Sequence, residues 1–369
     1  MKVCFITTTY PRFDGDYKGQ FIKALVDKLK LNSEVEVVSP RVKYSRLISD
    51  SGIQYNLKND VIAILQFPLF FISFILDSLR AGKNSDVIHA NWIISAIPGL
   101  FVKLFYKKPL ILTIRGSDFY MLNGFFKKLL ANFIIKRVDS IICISKSLMA
   151  DVQKCYPDKI LKIIYNGVDT DMFKSDDKVQ IRKKLSIDRK CKVILFVGRL
   201  VESKGIDKVL ESFKQLSKKH ANLVLIIVGD GVLKNQIEDE IKKSNLNVRM
   251  IGKLPHEQVA DWMRASDIFL FPSHFEGGSN TLLEAMSSEL AVVITQVGWA
   301  KDLIKDGENG MFIESASESI IEKLNFLLKD NKNLKQLGKS ARKTIIANGF
   351  RWRDCAAFYA KEYNALLKN

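Results

Sequence analysis

Along this chain, short unbroken apolar runs alternate with segments whose apolar residues recur every three or four positions. The first kind reads as buried strand and the second as amphipathic helix. Strands are predicted at Val3–Thr8, Val35–Val38, Val87–Ala90, Leu110–Ile114, Ile141–Ile144 and Ile160–Tyr165. A second series follows at Val193–Val197, Leu223–Val228, Val248–Ile251, Ile268–Phe271 and Ala291–Thr295. Val/Ile/Leu runs without alternation suit parallel strands covered on both faces, and the helical segments supply the crossovers. The expected fold class is therefore α/β, with two doubly wound Rossmann-like domains facing across a cleft. Ligands of such sheets bind beyond the carboxyl ends of the strands. The stretch "YNGVDTDMFKSDDKVQ" (Tyr165–Gln180) has an Asn-Gly turn, several acids and no apolar period, so it reads as the linker. Its Asp169-Thr170-Asp171 has the spacing of a metal motif, but without further ligands it reads as turn chemistry. Domains are expected at 1–169 and 170–350, with a terminal amphipathic helix at 351–369.

A length of 369 residues suits two cores rather than one, and 47% hydrophobic with 26% charged residues is globular. Cys4, Cys143, Cys155, Cys191 and Cys355 are scattered, with no Cys-x-x-Cys pair, as expected of reduced thiols without structural zinc. The start "MKVCFITTTYP" lacks the basic flank and cleavage site of a secretory signal, so a cytoplasmic location is expected. The longest apolar stretch, Val61–Leu76, falls short of the roughly 20 residues of a membrane span and contains Gln66 and Pro68. It reads first as a buried helix and second as an interfacial one.

The formal net charge is +17, and residues 101–150 carry nine Lys/Arg against two Asp/Glu among many aromatics. Such a surface fits peripheral contact with an anionic membrane, and solvated lysine faces explain it as well. No DNA- or RNA-binding motif accompanies the charge, so nucleic acid is not an expected partner. Within this region "GFFKKLLANFIIKR" (Gly124–Arg137) aligns Phe126, Leu129, Leu130, Phe133 and Ile134 in one stripe, with Lys127, Lys128 and Arg137 towards its edges. That stripe suits either lipid docking or the core of the first domain.

Candidate chemistry gathers at strand ends. "ILFVGRLVESKG" turns at Gly198 and presents Arg199 and Lys204 before a helix, a planar fork and a point charge suited to a diphosphate. Neither a Walker loop nor a G-x-G-x-x-G fingerprint is present. Gly229 and Asp230 form a second permissive turn. The loop after the first strand carries Gly15, Asp16 and Gly19, and glycines there admit close approach to a phosphate or sugar. "HFEGGSNTLLEAM" places Glu276 and Glu284 eight positions apart around Gly277, Gly278, Ser279, Asn280 and Thr281. By itself Thr281-x-x-Glu284 is a capping-box pattern, with an acid suited to the first turn of a helix.

Together, "FVGRL…SKG", "IVGDG", "FPSHFEGGSNTLLEAM", "YNGVDTDMF", "TTTYPR…GDYKGQF", "DVIHANW", "LTIRGSD" and "ICISKSL" resemble the retaining glycosyltransferases of the GT-B fold, family four (glycosyl transferases group one). The resemblance covers nearly the whole chain. It implies that the terminal helix returns to the first domain. It also implies a UDP- or GDP-linked sugar as donor and a glycan or lipid-linked acceptor, in polysaccharide, lipopolysaccharide or glycolipid biosynthesis. Arg199 and Lys204 would then hold the diphosphate, Glu276 would lie by the sugar, Glu284 would accept from the ribose hydroxyls, and the amides of 277–281 would meet sugar and phosphate. No metal ion, cofactor or covalent intermediate is implied.

The chain departs from the family pattern at Arg115, which stands where a histidine usually precedes Gly116 and Asp118. Arg115 is expected to meet an anionic group of donor or acceptor. It also leaves open a protein that binds nucleotide sugar without turnover. Glu289-Leu290-Ala291 replaces a Gly-x-Pro step. His89, at a strand end, suits either the cleft or the core.

Overall fold

The structure is a computed structural model that describes residues 1–13, 16, 19–40, 56–57, 59–120 and 124–368. Gly15 lies outside these residues. The chain divides into two compact units, Met1–Asn166 with Trp352–Asn369, and Gly167–Arg351.

Unit 1 is a six-stranded parallel sheet in the order β2-β1-β3-β4-β5-β6. Its strands are β1 (Lys2–Thr7), β2 (Glu34–Val38), β3 (Val87–Asn91), β4 (Leu110–Ile114), β5 (Ser140–Cys143) and β6 (Leu161–Ile163). The helices between them are α1 (Gln20–Leu29), α2 (Val61–Gly82), α3 (Ala96–Tyr106), α4 (Phe125–Arg137) and α5 (Lys146–Cys155). Crossovers between parallel strands are right-handed. The order therefore puts α1 on one face of the sheet, and α2, α3, α4 and α5 on the other. Helix α2 packs against α3, and α3 against α4.

On the α1 face, Ile22, Leu25, Val26 and Leu29 repeat at helical spacing and bury against Val3, Phe5 and Val87. The last helix of the chain, α13 (Trp352–Lys368), closes this core with Trp352, Tyr359 and Tyr363.

Helix α2 corrects the expectation of a buried helix. Asp60 caps it, accepting from the Ile62 N–H at 2.8 Å, and Ala63, Phe70, Phe74, Ser78 and Ala81 face the sheet. Val61, Leu65, Leu69, Ile72 and Leu76 are exposed. A helix laid on one face of a sheet buries one stripe, and this sequence is apolar on two. Helix α4 is corrected in the same way. Ala131, Ile134 and Ile135 are buried, whereas Leu129, Leu130 and Phe133, read as possible core residues with Ile134, are exposed.

Unit 2 repeats the plan in the order β12-β11-β10-β7-β8-β9, all parallel. The strands are β7 (Lys192–Val197), β8 (Leu223–Val228), β9 (Val248–Gly252), β10 (Ile268–Phe271), β11 (Ala291–Thr295) and β12 (Met311–Ile313). The helices are α6 (Lys178–Lys184), α7 (Ile206–Leu216), α8 (Lys234–Ser244), α9 (His256–Ala265), α10 (Asn280–Ser287), α11 (Ser317–Lys329) and α12 (Asn331–Ala347). The edge strand β12, three residues long, has no counterpart in the sequence reading, because so short a run carries no periodic signal.

Asp267 ties the amino ends of β7 and β10 to α6. It accepts from Lys178 Nζ at 2.7 Å, Arg182 Nη2 at 2.8 Å and the Val193 N–H at 2.8 Å. In the linker, Asp169 accepts from the N–H groups of Asp171 and Met172, which is the turn chemistry expected of it.

Candidate functional site

In unit 2 the predicted donor residues collect at the carboxyl ends of β7, β8 and β10. The loops after β7 and β8 touch backbone to backbone. Leu200 N–H donates to the Asp230 carbonyl at 2.9 Å, and Gly198 N–H to the Val228 carbonyl at 3.0 Å. A Cβ on Gly229, whose φ is +147°, would stand 1.8 Å from the Gly198 carbonyl oxygen, so only glycine fits. Asp230 spends one carboxylate oxygen on the Gly231 N–H at 2.8 Å, so it shapes this turn. Arg199 is exposed, and its guanidinium has no partner among the described residues.

Lys204 and Glu276 are 72 positions apart in sequence, and Nζ of the first donates to Oε1 of the second. Their side chains are only 14% and 10% exposed, and the ammonium also lies 5.5 Å from the centre of the Phe271 ring. Low exposure strengthens such a pair, because little water competes. A Cβ on Gly205, in the left-handed region just after Lys204, would stand 2.3 Å from the Pro272 carbonyl oxygen. That close approach carries Lys204 to the β10 loop.

Helix α10 begins where expected, but its cap is Ser279 rather than Thr281. Ser279 Oγ accepts from the Leu282 N–H at 3.3 Å and from or to Thr281 Oγ1 at 2.8 Å. With Ser279 as the cap, Glu284 sits past the first turn, and the capping-box alternative falls away. Glu284 is buried and its Oε1 meets His256 Nε2 at 2.8 Å. His256, the first residue of α9, packs against Phe173 with ring centroids 5.0 Å apart and planes tilted by 55°. Two glycines around this loop are spatially required. A Cβ on Gly278 would stand 2.4 Å from Cε2 of the buried Trp299, and one on Gly298 would stand 2.7 Å from the Glu276 carbonyl oxygen. Glu289, in place of a family glycine, holds φ at +58°.

Neither His256 nor Trp299 is among the predicted site residues. The available signal for His256 is a histidine opening a helix straight after a strand loop; for Trp299 it is the departure from a Gly-Gly-x-x-Glu step at Gly298–Asp302.

In unit 1, Arg115 is buried at the carboxyl end of β4. Its Nη2 and Nε donate to Asn91 Oδ1 at 2.7 and 3.2 Å, and its Nη1 donates to Asn166 Oδ1. Phe21 and Trp92 face the guanidinium, with ring centres 5.1 and 5.8 Å away. Burial lowers its pKa, and the nearby Asp118 opposes that. Arg115 thus ties β3 and β4 to the chain beyond β6, using neutral partners. Asp118 accepts from the N–H groups of Ile93 at 3.0 Å and Arg115 at 2.9 Å, while burial pushes its carboxyl up to about 6. Trp92, just after the carboxyl end of the neighbouring strand β3, holds φ at +67°, a strained value for a tryptophan.

His89 does not line an open surface. It is fully buried, with Nδ1 2.6 Å from Tyr363 Oη and Nε2 2.8 Å from Thr113 Oγ1, so it joins the sheet to α13. Asp16 is also buried and accepts from Arg12 Nε at 2.6 Å. Gly19 takes φ +70° at the start of α1, where a Cβ would stand 2.7 Å from Tyr10 Cα.

Residues 177–344 match the family model of glycosyl transferases group 1, and residues 20–172 match that of glycosyltransferase family 4. An uncharacterized glycosyltransferase of Methanocaldococcus jannaschii, MJ1069, is 30% identical over 73% of this chain and 71% of its own. The chain belongs to the group 1 glycosyltransferases. A second relative from that organism, MJ1178, is 26% identical over 99% of both chains. Relatives named for teichuronic acid, capsular polysaccharide and lipopolysaccharide core biosynthesis are 24 to 27% identical to this glycosyltransferase. Among solved structures, HepE of Anabaena in complex with UDP superposes with a TM-score of 0.78 at 17% identity, covering 99% of this chain and 100% of its own. That likeness establishes the GT-B fold.

Proposed function

We propose that this glycosyltransferase moves a sugar from a nucleoside diphosphate sugar to a glycan or lipid-linked acceptor, with retention at the anomeric carbon and without a metal ion. The observation that carries this reading is the half-buried Lys204–Glu276 pair, just ahead of α10 and next to exposed Arg199. Lys204 and Arg199 supply positive charge where a diphosphate leaves, which is electrostatic stabilisation of a leaving group. The bond from the anomeric carbon to the diphosphate oxygen breaks. The acceptor oxygen bonds on the same face of the sugar, and its proton passes to the departing phosphate. Glu276, held by Lys204, is a sugar contact rather than a nucleophile. Glu284, fixed by His256, accepts from the ribose hydroxyls. HepE was solved with UDP, which supports a uridine donor as the first to try.

The test is a panel of UDP- and GDP-sugars with a polyprenyl-linked acceptor, reading free nucleotide and the anomeric proton coupling of the product. Nucleotide release with the donor's anomeric configuration retained is expected, unchanged by chelator. An inverted product, a glycosyl adduct on Glu276 by intact mass, or activity lost to chelator and restored by a divalent ion would each overturn part of the reading. Binding of donor without release, with acceptors that serve a related enzyme, would leave a non-catalytic binder.

A further inference from the structure

We infer that the face of unit 1 formed by α2, α3 and α4 docks on an anionic lipid bilayer, with α2 lying along the interface. The sequence suggests membrane contact for residues 101–150 and holds an interfacial α2 only as a second alternative; the exposed line on α2 makes it the principal element. Val61, Leu65, Leu69, Ile72 and Leu76 form a line on its outer side and are 49–71% exposed. At 1.5 Å per residue the line runs about 22 Å. Ile62 and Ile64 widen it, and no charged side chain occurs from Val61 to Leu76. Exposed apolar surface this continuous marks a docking site rather than ordinary surface.

The neighbouring helices extend the same face. Leu104 and Phe105 on α3 are exposed, as are Phe125, Leu129 and Phe133 on α4. Between α3, α4 and the end of α13 lies a groove of ≈ 850 Å³, lined by Phe101, Leu104, Phe133 and Leu366, with Lys107 and Lys108 at its edge. It is open enough to take part of an acyl chain with its phosphate over the lysines.

Charge selects the occupant. The three helices hold Arg80, Lys103, Lys127, Lys128, Lys136 and Arg137; Asp77 pairs with Arg80 at 3.5 Å, and Asp139, at the groove, pairs with Lys103 at 2.5 Å. Lys83, Lys107 and Lys108 follow directly beyond α2 and α3. A second copy laid on this face would oppose one basic rim with another. An anionic leaflet complements both the apolar centre and the basic rim.

The test is flotation of the full chain with vesicles of phosphatidylglycerol and phosphatidylcholine, against vesicles of phosphatidylcholine alone. Binding to the anionic vesicles that weakens with salt is expected. The triple substitution Leu65→Ser, Leu69→Ser, Ile72→Ser should lower partitioning by about a hundredfold, from the loss of three part-inserted side chains. Its thermal midpoint should stay unchanged, since all three are exposed. Should that variant fold poorly, Lys107→Glu with Lys108→Glu keeps the claim testable, with at least a tenfold loss expected from charge reversal. Failure to bind anionic vesicles at low salt overturns the inference. So does binding indifferent to lipid charge, or dimerisation through α2 without vesicle binding.

Discussion

Replacing Lys204 with methionine keeps most of the side-chain stem and removes the charge. Glu276, 10% exposed, then loses its ammonium partner. Breaking a buried pair from one side costs about 3–5 kcal/mol, and slight exposure to solvent puts this site near the lower end. The reverse change, Glu276→Gln, leaves Lys204 with the Phe271 ring 5.5 Å away. A cation–π contact is worth about 0.5–2 kcal/mol, so this loss should be only about 1–2 kcal/mol. The double variant removes both charges and should be less destabilised than the sum of the singles by about 2 kcal/mol. For a domain of this size 1 kcal/mol moves Tm by about 2–4 °C. Lys204→Met should therefore lower the unit 2 transition by roughly 6–12 °C, read by calorimetry on all four proteins of the cycle. Additivity within about 0.5 kcal/mol would refute the reasoning, since uncoupled groups do not form a pair.

On the proposed mechanism Arg199→Ala should reduce kcat by about 10²–10³-fold, with Tm unchanged because its exposed guanidinium makes no protein contact among the described residues; equal rates would remove it from the site. Gly278→Ala should cost about 1–3 kcal/mol by driving a Cβ into Trp299, seen as a shift of the urea midpoint. Burial lowers the His256 pKa, but the Glu284 hydrogen bond and the charges of Glu284, Glu257 and Asp169 together outweigh it, so the value stands above the ordinary one. A group raised on folding contributes stability that is complete below its unfolded pKa of about 6.5 and is lost as pH rises through the folded value. The stability difference between wild type and His256→Gln should accordingly shrink as pH climbs above about 6.5, and a constant difference would contradict the pairing. Asp267→Ala should cost about 3–5 kcal/mol in denaturant unfolding by stranding the buried Arg182.

Much of the architecture was readable without coordinates, because parallel strands buried on both faces leave unbroken Val/Ile/Leu runs at helix-separated intervals. The candidate site was readable for a related reason. Gly198, Lys204, Glu276 and Glu284 follow strand ends, and in this topology all such ends point the same way. The sequence also offered a Thr281–Glu284 capping box for α10, and the hydrogen bond from the Leu282 N–H to Ser279 Oγ set it aside.

What needed the tertiary structure was anything decided by which surface covers which. His89 and Asp16 were chemically plausible ligands until each was found buried among its partners, Tyr363 and Thr113 for one and Arg12 for the other. His256 gained a role only because α9 ends up beside α10. The outer line of α2 has the same composition as a core stripe, and hydrophobicity records only what a residue gains by leaving water, not where it goes. Local pattern thus determined the strands, the helices and the loops that bear charge. Packing between elements far apart in sequence determined which of those charges are spent inside the fold and which apolar face was left for something else to cover.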